Sequence, residues 1–285
     1  MNPQNLTLSC EFFPPRTEQG MIKLRQVRAQ LQVLNPSYFS VTFGAGGSTQ
    51  EKTFETVVDI QQHSEVMAAP HLSCVASTKE TIYELLQAYQ AKNIRRIVAL
   101  RGDTPSGLRG SLGEFNYANE LVSFIRESTG EHFHIEVAAY PEFHPQARSA
   151  KADLDFFQQK VEAGANSAIT QYFYNADAYF SFVEECTRRG INIPIIPGIM
   201  PITNYTQLAR FSETCGAEIP RWLRWRLQAL EDDKASLQAF GLDVITQLCE
   251  RLLAGGVQGL HFYSLNQAEL TLEIAKRLNL ITASS

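Results

Sequence analysis

The run Ile94-Arg95-Arg96-Ile97-Val98-Ala99-Leu100 shows the pattern that decides the fold of this 285-residue chain. Its apolar residues follow one another without the strict alternation of a half-exposed strand, which is typical of a parallel strand covered by helices. Similar runs recur along the whole chain, at a spacing of roughly thirty residues that suits repeated strand–helix units. The eight runs cover residues 6–13, 38–44, 68–75, 95–102, 134–140, 167–174, 193–200 and 257–265.

The segments between these runs have apolar residues at helical spacing, as Leu24, Val27, Leu31 and Leu34 show for the first of them. Eight strand–helix units predict a (β/α)8 TIM barrel. The interval 200–257 is about twice as long as the others, so we expect extra helices before the last strand. A doubly wound open sheet is the alternative, but no G-x-G-x-x-G turn follows the first strand. No linker divides the chain, which predicts one catalytic domain over residues 1–285.

The composition of the chain argues against several classes of function. Hydrophobic residues make up 44% and charged residues 19% of the chain, and the net charge is −5. A negative chain without a basic cluster argues against binding to nucleic acid or to a membrane surface. No apolar run reaches the ~20 residues of a membrane-spanning helix, and the polar start Met1–Asn5 predicts a cytoplasmic protein. Five scattered cysteines without CxxC spacing predict neither disulfides nor a metal site.

The first strand carries a carboxylate in the stretch Leu8-Ser9-Cys10-Glu11-Phe12-Phe13-Pro14-Pro15-Arg16. The two prolines end the strand, because proline cannot donate a hydrogen bond to a sheet. Apolar neighbours should raise the pKa of Glu11 by desolvation, which suits a general acid working near neutral pH. The alternative is a glutamate on an edge strand that points to water.

Polar residues also stand where the other strands end. They are Thr42, His71, Arg101-Gly102-Asp103, Tyr140, His144, Gln171, His261 and Tyr263. Each has a structural explanation by itself: a core histidine, a turn or helix cap at Asp103, a buried amide at Gln171. Because the strand ends of such a barrel face one mouth, the whole set indicates a site for an organic cofactor or substrate.

The glycine-rich turn Gly44-Ala45-Gly46-Gly47-Ser48-Thr49 lies between a strand and a helix. Such a turn can present backbone N–H groups to a phosphate. It lacks the lysine of a P-loop, so a tight loop at the barrel mouth explains it equally well.

Several of these motifs together resemble the methylenetetrahydrofolate reductase family of bacteria, in order and over essentially the whole chain. They are Cys10-Glu11-Phe12-Phe13-Pro14-Pro15-Arg16, Ser40-Val41-Thr42-Phe43-Gly44-Ala45, Ala69-Pro70-His71-Leu72, Ala99-Leu100-Arg101-Gly102-Asp103, Ala138-Ala139-Tyr140-Pro141-Glu142, Ile169-Thr170-Gln171-Tyr172-Phe173, Ile196-Pro197-Gly198-Ile199 and His261-Phe262-Tyr263-Ser264-Leu265-Asn266. The resemblance implies a (β/α)8 flavoprotein that binds FAD without a Rossmann fold. It implies hydride transfer from NADH or NADPH to FAD and then to 5,10-methylenetetrahydrofolate, in turn at one site, giving 5-methyltetrahydrofolate for methionine synthesis. It also implies a homo-oligomer.

The resemblance assigns roles residue by residue. Glu11 would be the general acid that helps to open the folate ring, and Asp103 would lie between flavin and folate and lower the flavin potential. The implied FAD contacts are Thr42, Phe43, His71, Arg101, Gly102, Asp103, Ala118, Tyr140, His144, Ala147, Asp153 and Lys160. The implied substrate contacts are Glu11, Asp103, Gln171, Gln207, Phe211 and Gln267.

Three positions depart from the family pattern: Gln267 and Gln159 replace arginines, and Phe43 replaces a tyrosine. The loss of the charge at position 267 could change the affinity for folate or its glutamate tail. The alternatives are another barrel flavoenzyme, such as one resembling proline dehydrogenase, and a folate- or flavin-binding protein without turnover. A Schiff-base aldolase is disfavoured, because no lysine stands at a strand end.

Overall fold

The structure, a computed structural model, describes residues 6–43, 47–102 and 113–281, without the side chains of residues 47–49. Nine parallel strands in these residues form one nearly closed sheet, in the order β7-β6-β5-β4-β3-β2-β1-β9-β8. The strands are β1 (Thr7–Phe12), β2 (Tyr38–Val41), β3 (Met67–Ser73), β4 (Arg96–Leu100), β5 (His134–Ala139), β6 (Ser167–Thr170), β7 (Ile195–Ile196), β8 (Gly198–Ile199) and β9 (Gly259–Tyr263).

The strands β7 and β8 are two halves of one predicted strand, separated by Pro197. The first half pairs with β6 and the second half pairs with β9. The proline cannot donate to the ladder, but its carbonyl accepts the N–H of His261 at 3.0 Å. The eight predicted runs therefore all form strands, and the TIM-barrel fold class is confirmed.

Helices connect the strands. They are α1 (Glu18–Leu31), α2 (Gly47–His63), α3 (Lys79–Ala91), α4 (Ala118–Thr129), α5 (Ala150–Glu162), α6 (Ala176–Arg188), α7 (Tyr205–Cys215), α8 (Arg221–Ala229), α9 (Lys234–Ala254) and α10 (Glu269–Arg277), with a short 3-10 turn at Gln32–Leu34. The three helices α7, α8 and α9 lie between β8 and β9, which confirms the extra helices before the last strand. No helix in the described ranges is long and apolar enough to cross a membrane.

Side chains cap most of these helices at their first turn. Ser149 accepts the N–H of Ala152 at the start of α5, and Asn204 accepts that of Gln207 at the start of α7. In α3 the cap is Thr78, which accepts the N–H of Thr81 at 3.2 Å. The preceding residue, Ser77, does not cap the helix, and its hydroxyl donates to the carbonyl of Ser73.

A buried polar cluster occupies the barrel interior near the starting ends of β4, β5 and β6. Arg96 donates to Oε1 of Glu136 at 2.9 Å, and the same oxygen accepts the hydroxyl of Ser167 at 3.0 Å. Nε2 of His134 lies 2.7 Å from that hydroxyl, and the Arg96 guanidinium covers the ring of Tyr38. Nε of Arg96 and Oε2 of Glu136 have no hydrogen-bond partner in the described part of the chain. Removal of one member would therefore leave the other as a buried charge without compensation, which is strongly destabilising.

The His134 imidazole makes stability depend on pH. Burial and the nearby Arg96 charge lower the pKa of His134 to about 4, whereas a histidine in the unfolded chain titrates near 6.5. Between these values the unfolded state binds a proton that the folded state does not, so stability falls as the pH falls from about 6.5 to about 4. We expect His134→Gln to flatten this dependence in urea unfolding measured across the same window.

The control for that experiment is His63→Gln, because the His63 side chain is 60% exposed at the end of α2. This variant should keep most of the change in the free energy of unfolding with pH. His71, whose pKa burial also lowers, contributes a slope of the same sign in every variant. A His134→Gln slope equal to that of the wild type would contradict the assignment.

Candidate active site

A cavity of about 750 Å³ opens at the end of the barrel where the parallel strands finish. This size lies within the range of small-molecule and cofactor sites. The residues that line it are Glu11, Phe13, Thr42, Phe43, Gln50, His71, Ser73, Val75, Ala76, Ser77, Val98, Leu100, Gly102, Ala138, Tyr140, Ile169, Gln171, Tyr172, Met200, Phe211, Thr214, Cys215, Tyr263 and Leu265. They come from most of the strands and from α7, so the cavity exists only in the folded barrel.

Glu11 lies in the wall of this cavity and is only 9% exposed. Its strand β1 pairs with β2 on one side and β9 on the other, so the edge-strand alternative is wrong. The expected surroundings also need correction. Cys10 and Phe12 point to the opposite face of the strand, because side chains alternate, and the inner face brings polar groups to Glu11 instead.

Two imidazoles face the Glu11 carboxylate. Nε2 of His71, on β3, lies 3.3 Å from Oε2, and Nε2 of His261, on β9, lies 3.8 Å from the same oxygen. Burial lowers the pKa of His71, and the Glu11 charge partly offsets this effect. The backbone carbonyl of Glu11 accepts the hydroxyl of Ser264, which attaches β1 to the end of β9. Glu11 is therefore a buried acid with nitrogen donors close to one oxygen.

The contact between Glu11 and His261 is one that the sequence pattern does not reveal. His261 is recognisable in the sequence as a polar residue near a strand end, but its partner is 250 residues away. The register pairs Ser9 with His261 and Glu11 with Tyr263. Nδ1 of His261 lies 2.7 Å from the Ser9 hydroxyl, so a second inner-face side chain of β1 holds the ring.

The wall beside Glu11 is closed by Tyr263. Its hydroxyl donates to the carbonyl of Thr170 at 2.7 Å, and burial raises its pKa well above the usual value. The Thr170 hydroxyl accepts the N–H of Gly198 at 2.9 Å. These two bonds connect β6, β8 and β9 at the seam of the barrel.

The helix α7 covers one side of the cavity. Phe211 lines the cavity, as the family resemblance implies for a residue that stacks on substrate. The Tyr172 hydroxyl lies 3.1 Å from that of Ser212 and accepts the thiol of Cys215 at 3.4 Å, which attaches α7 to the end of β6. Gln207, one turn before Phe211, is exposed and is not among the lining residues.

Among the implied flavin contacts, five line the cavity: Thr42, Phe43, His71, Gly102 and Tyr140. Gly102 has a φ of +85°, and a Cβ there would lie 1.9 Å from the hydroxyl of Ser73, so only glycine fits. Its position at the end of β4 lets the backbone border the cavity directly.

The other implied flavin contacts in the described ranges are not among the lining residues, and three of them, His144, Asp153 and Lys160, lie around the end of β5. The His144 ring packs edge-on against Tyr140 at 4.7 Å, and its backbone N–H donates to Asp153 at 3.0 Å. Lys160 donates to the carbonyl of Ala138, and burial lowers its pKa to about 8 while Asp153 offsets the effect. The three remaining positions are Arg101, which donates to Gln146; Ala147, whose N–H donates to the His144 carbonyl; and Ala118, which begins α4.

Two other implied contacts differ in their placement. Asp103 and residues 44–46 of the glycine-rich turn lie outside the described residues. Gln267 is exposed, is not among the lining residues, and donates its backbone N–H to Ser264. Its neighbour Asn266 instead holds the backbone of Phe13 through two hydrogen bonds of 2.8 and 2.9 Å.

Sequence reasoning missed the apolar floor of the cavity. Val98, Leu100, Ala138, Ile169 and Met200 all line it. A search for polar residues at strand ends does not find these apolar positions. They could have been found from the alternation of inward- and outward-facing residues along each barrel strand. In the described ranges, no group of three or more His, Cys, Asp or Glu side chains could hold a metal ion.

Comparison with known proteins identifies the family. The family model "Methylenetetrahydrofolate reductase" matches residues 1–279. The chain is 38% identical to the 5,10-methylenetetrahydrofolate reductases of Escherichia coli and Pectobacterium carotovorum, each over 96% of this chain and 90% of the relative. It is 37% identical to methylenetetrahydrofolate reductase (NADH) 1 of Arabidopsis thaliana, over 97% of this chain and 49% of that protein.

A solved structure with a similar fold is an uncharacterized protein from Clostridium thermocellum that binds two copies of 5-methyl-5,6,7,8-tetrahydrofolic acid. It has a TM-score of 0.65 and 16% identity, and the match covers 97% of this chain and 95% of that one. At this identity the likeness concerns the fold alone. From the family model and the relatives, the chain belongs to the methylenetetrahydrofolate reductase family of oxidoreductases.

Proposed function

We propose that the chain reduces 5,10-methylenetetrahydrofolate to 5-methyltetrahydrofolate, with FAD as cofactor and NADH or NADPH as hydride donor. The observation that carries the proposal is a buried carboxylic acid, Glu11, in the wall of a large cavity on the mouth side of the barrel. Membership of the family and the names of its bacterial and plant members support the substrate and the nicotinamide.

The cavity suits a flavin. A planar isoalloxazine ring needs an apolar surface for its face and amide or hydroxyl groups for its edge. Val98, Leu100 and Ile169 supply the first, and Thr42 and Tyr140 stand at the rim. When bound, FAD would take a hydride from the nicotinamide and pass it to the folate. The residues that would hold it are Thr42, Phe43, His71, Arg101, Gly102, Asp103, Ala118, Tyr140, His144, Ala147, Asp153 and Lys160.

Glu11 acts as the general acid in this proposal. Opening the five-membered ring of methylenetetrahydrofolate leaves a nitrogen that must gain a proton, and a buried carboxyl group in the cavity wall can supply it. Glu11 is only 9% exposed, so little solvent competes with the substrate for its proton. His71 and His261 would stabilise the carboxylate that remains after proton transfer.

The other substrate contacts would serve folate and nicotinamide in turn. Gln171 has an amide that can both donate and accept, so it can bind the pterin or the carboxamide. Phe211 offers a ring face to either flat group. Asp103 would hydrogen-bond the pterin, and Gln207 and Gln267 would meet the outer parts of the substrate. One cavity used twice implies ping-pong kinetics.

The proposal includes a homo-oligomer. The sequence predicts an exposed apolar face on α8, formed by Trp222, Leu223 and Trp225. Leu223 is fully buried, so it is not part of that face, whereas Trp222 and Trp225 are 54% and 59% exposed. The two tryptophans are enough to support a contact between copies, and sedimentation would test it.

We expect purified protein to take up FAD and to show the flavin absorption bands. NADH or NADPH should bleach these bands without oxygen, and methylenetetrahydrofolate should then restore them with formation of 5-methyltetrahydrofolate. A protein that ignores FAD would contradict the proposal. A flavin that is bleached by nicotinamide but never restored by folate would indicate another barrel flavoenzyme, and a bound flavin that neither substrate changes would indicate a binding protein without turnover.

A further inference from the structure

The inner face of β1 carries a second buried group beneath Glu11. Ser9 is fully buried, and its hydroxyl lies 2.7 Å from Nδ1 of His261, which is also fully buried. The opposite ring nitrogen, Nε2, has no hydrogen-bond partner among the described residues, and it faces Oε2 of Glu11 at 3.8 Å. A serine, an imidazole and a carboxyl group thus follow one another inside the barrel.

The His71 ring faces the same oxygen of Glu11. Its Nε2 lies 3.3 Å from Oε2 and is likewise a buried nitrogen without a hydrogen-bond partner in the described part of the chain. Neither contact, of His71 or of His261 with Oε2, has the geometry of a full hydrogen bond. Catalytic hydrogen bonds often tighten only when substrate binds. Two buried nitrogens thus lie near one carboxyl oxygen, which is the nearest group that could become their partner.

Hydrogen-bonding capacity decides how the protons are arranged. A carboxyl oxygen without a proton has two lone pairs, so Oε2 can accept N–H donors from both imidazoles. If Oε2 carried the proton, its O–H would donate to one ring, and the N–H of the other ring would meet only the hydroxyl oxygen of the carboxyl group, which is a weaker acceptor than its carbonyl oxygen. The arrangement that pairs every group best has Nε2–H on both rings and the acid proton on Oε1.

The Ser9 hydroxyl completes this arrangement for His261. A neutral imidazole has one N–H, so with Nε2–H facing Oε2 the buried Nδ1 needs a donor, and the Ser9 hydroxyl at 2.7 Å can supply it. The opposite tautomer would turn a nitrogen lone pair toward the Glu11 oxygen, and the two negative centres would repel each other. The direction of the serine hydroxyl is thus coupled to the charge at Glu11.

Three other titratable groups in the described ranges lie near this cluster. The Tyr38 ring stacks on His261 at 6.2 Å, and its hydroxyl interacts with Ser9 but has no full hydrogen bond among the described residues. The other two groups have partners of their own. Tyr263 on β9 is close to Glu11, but its hydroxyl donates to the Thr170 carbonyl. Glu136 on β5 acts on His71 electrostatically and is paired with Arg96 on β4. Neither group competes for Oε2.

We propose that Ser9 and His261 are positioning residues that fix which oxygen of Glu11 carries the acid proton: Ser9 holds His261 as the Nε2–H tautomer, and Oε1 delivers the proton. The reaction step rests on the proposed function, since the proton is the one given to the folate nitrogen. The O–H bond at Oε1 breaks, the N–H bond on the substrate forms, and the carboxylate left behind keeps the N–H groups of His71 and His261.

The first test does not depend on activity. Nitrogen-15 NMR of the purified full-length protein at alkaline pH distinguishes the two imidazole tautomers, and His261→Gln identifies the His261 signals by their loss. We expect Nε2–H in the wild type and a shift toward a mixture of tautomers in Ser9→Ala. Nδ1–H in the wild type, or a His261 tautomer that Ser9→Ala does not change, would overturn the proposal.

The second test measures the half-reactions separately on FAD-loaded protein. Ser9→Ala should slow flavin reoxidation by methylenetetrahydrofolate about tenfold, the effect of one lost hydrogen bond, and leave reduction by nicotinamide unchanged. The pH profile of this half-reaction should also change. Its alkaline limb, where the rate falls as the acid loses its proton, should move to higher pH, because the Glu11 carboxylate has lost a stabilising N–H donor. Ser9→Thr, which keeps the hydroxyl, should restore both. Equal losses in the two half-reactions, or an unmoved limb, would show a merely structural role.

The matched control is Ser167→Ala. It removes the hydroxyl from a second, partly buried serine–histidine pair, in which Ser167 lies at the same 2.7 Å from His134, on strands across the barrel from β1. It should leave the rates of both half-reactions and the alkaline limb of the pH profile unchanged. If Ser9→Ala does not fold, His261→Gln replaces it. The glutamine amide keeps an N–H donor but not the ring geometry, so the same shift of the alkaline limb of the pH profile is expected.

The two tests can fail separately. If wild-type flavin is not reoxidised by folate, the proposed function fails, while the NMR result still decides the tautomer of His261.

Discussion

Replacing Glu11 by glutamine is expected to slow the folate half-reaction by about 10²–10⁴-fold, the usual contribution of a positioned general acid. Glutamine has nearly the same volume, so it fits the buried position between His71 and His261, but it has no acidic proton to give. Reduction of FAD by the nicotinamide needs no such proton and should continue at a similar rate. Stopped-flow measurement of the two half-reactions, under anaerobic conditions, would separate these effects.

The control for this variant is Glu142→Gln. Glu142 is a partly buried carboxylate near the cavity, and it accepts the N–H of Glu218 at 2.7 Å, a bond that the glutamine carbonyl can keep. We expect both half-reactions to survive this change. Loss of the two half-reactions to the same extent in Glu11→Gln would contradict the role of Glu11 as acid and would indicate damage to the whole cavity.

Replacing Gly198 by alanine is expected to lower the free energy of unfolding by about 3 kcal/mol, at the upper end of overpacking effects. A Cβ at this position would lie 2.2 Å from the carbonyl oxygen of Thr170 and 2.6 Å from the ring of Tyr263. The nearest atom belongs to the backbone of β6, so it cannot move aside as the end of a flexible side chain could. Urea unfolding followed by circular dichroism would measure the loss.

The control is Gly190→Ala, just after α6. A Cβ there meets no atom within 4 Å, but the φ of +74° carries a cost of about 1–2 kcal/mol for a residue with a side chain. Gly198→Ala should be the more damaging change, although its φ is not positive. It should also weaken FAD binding, because Tyr263 lines the cavity. A loss no larger than that of Gly190→Ala would show that the backbone around Gly198 can shift to accept the methyl group.

The order of strands and helices could be read from the sequence because its causes are local. Continuous apolar runs, helical spacing and the long interval before the last strand all act over a few neighbouring residues. The same local reasoning found that polar residues end the strands, and Thr42, His71, Tyr140 and Gln171 do line one cavity. It found them because parallel strands in a barrel all finish at the same mouth.

Local patterns were less informative where a residue's neighbours come from other strands. They placed Leu223 on an exposed face, but the structure buries it, since one helix presents different faces to the core and to solvent. The family resemblance gives Lys160 as an FAD contact, whereas in the structure its ammonium group donates to the Ala138 carbonyl in a buried position that lowers its pKa. Helical spacing alone does not say how deeply a long side chain is buried.

The sequence by itself determined the barrel, the extra helices and an acid on the first strand that ends at Pro14. Only the tertiary structure decided what surrounds that acid. Closure of the barrel pairs β1 with β9, so that Ser9 meets His261 across 252 residues of chain and Glu11 receives one imidazole from β3 and another from β9. The physical reason is that register and the alternation of side chains choose the inner-face neighbours, and register is set by the closed sheet and not by any one strand.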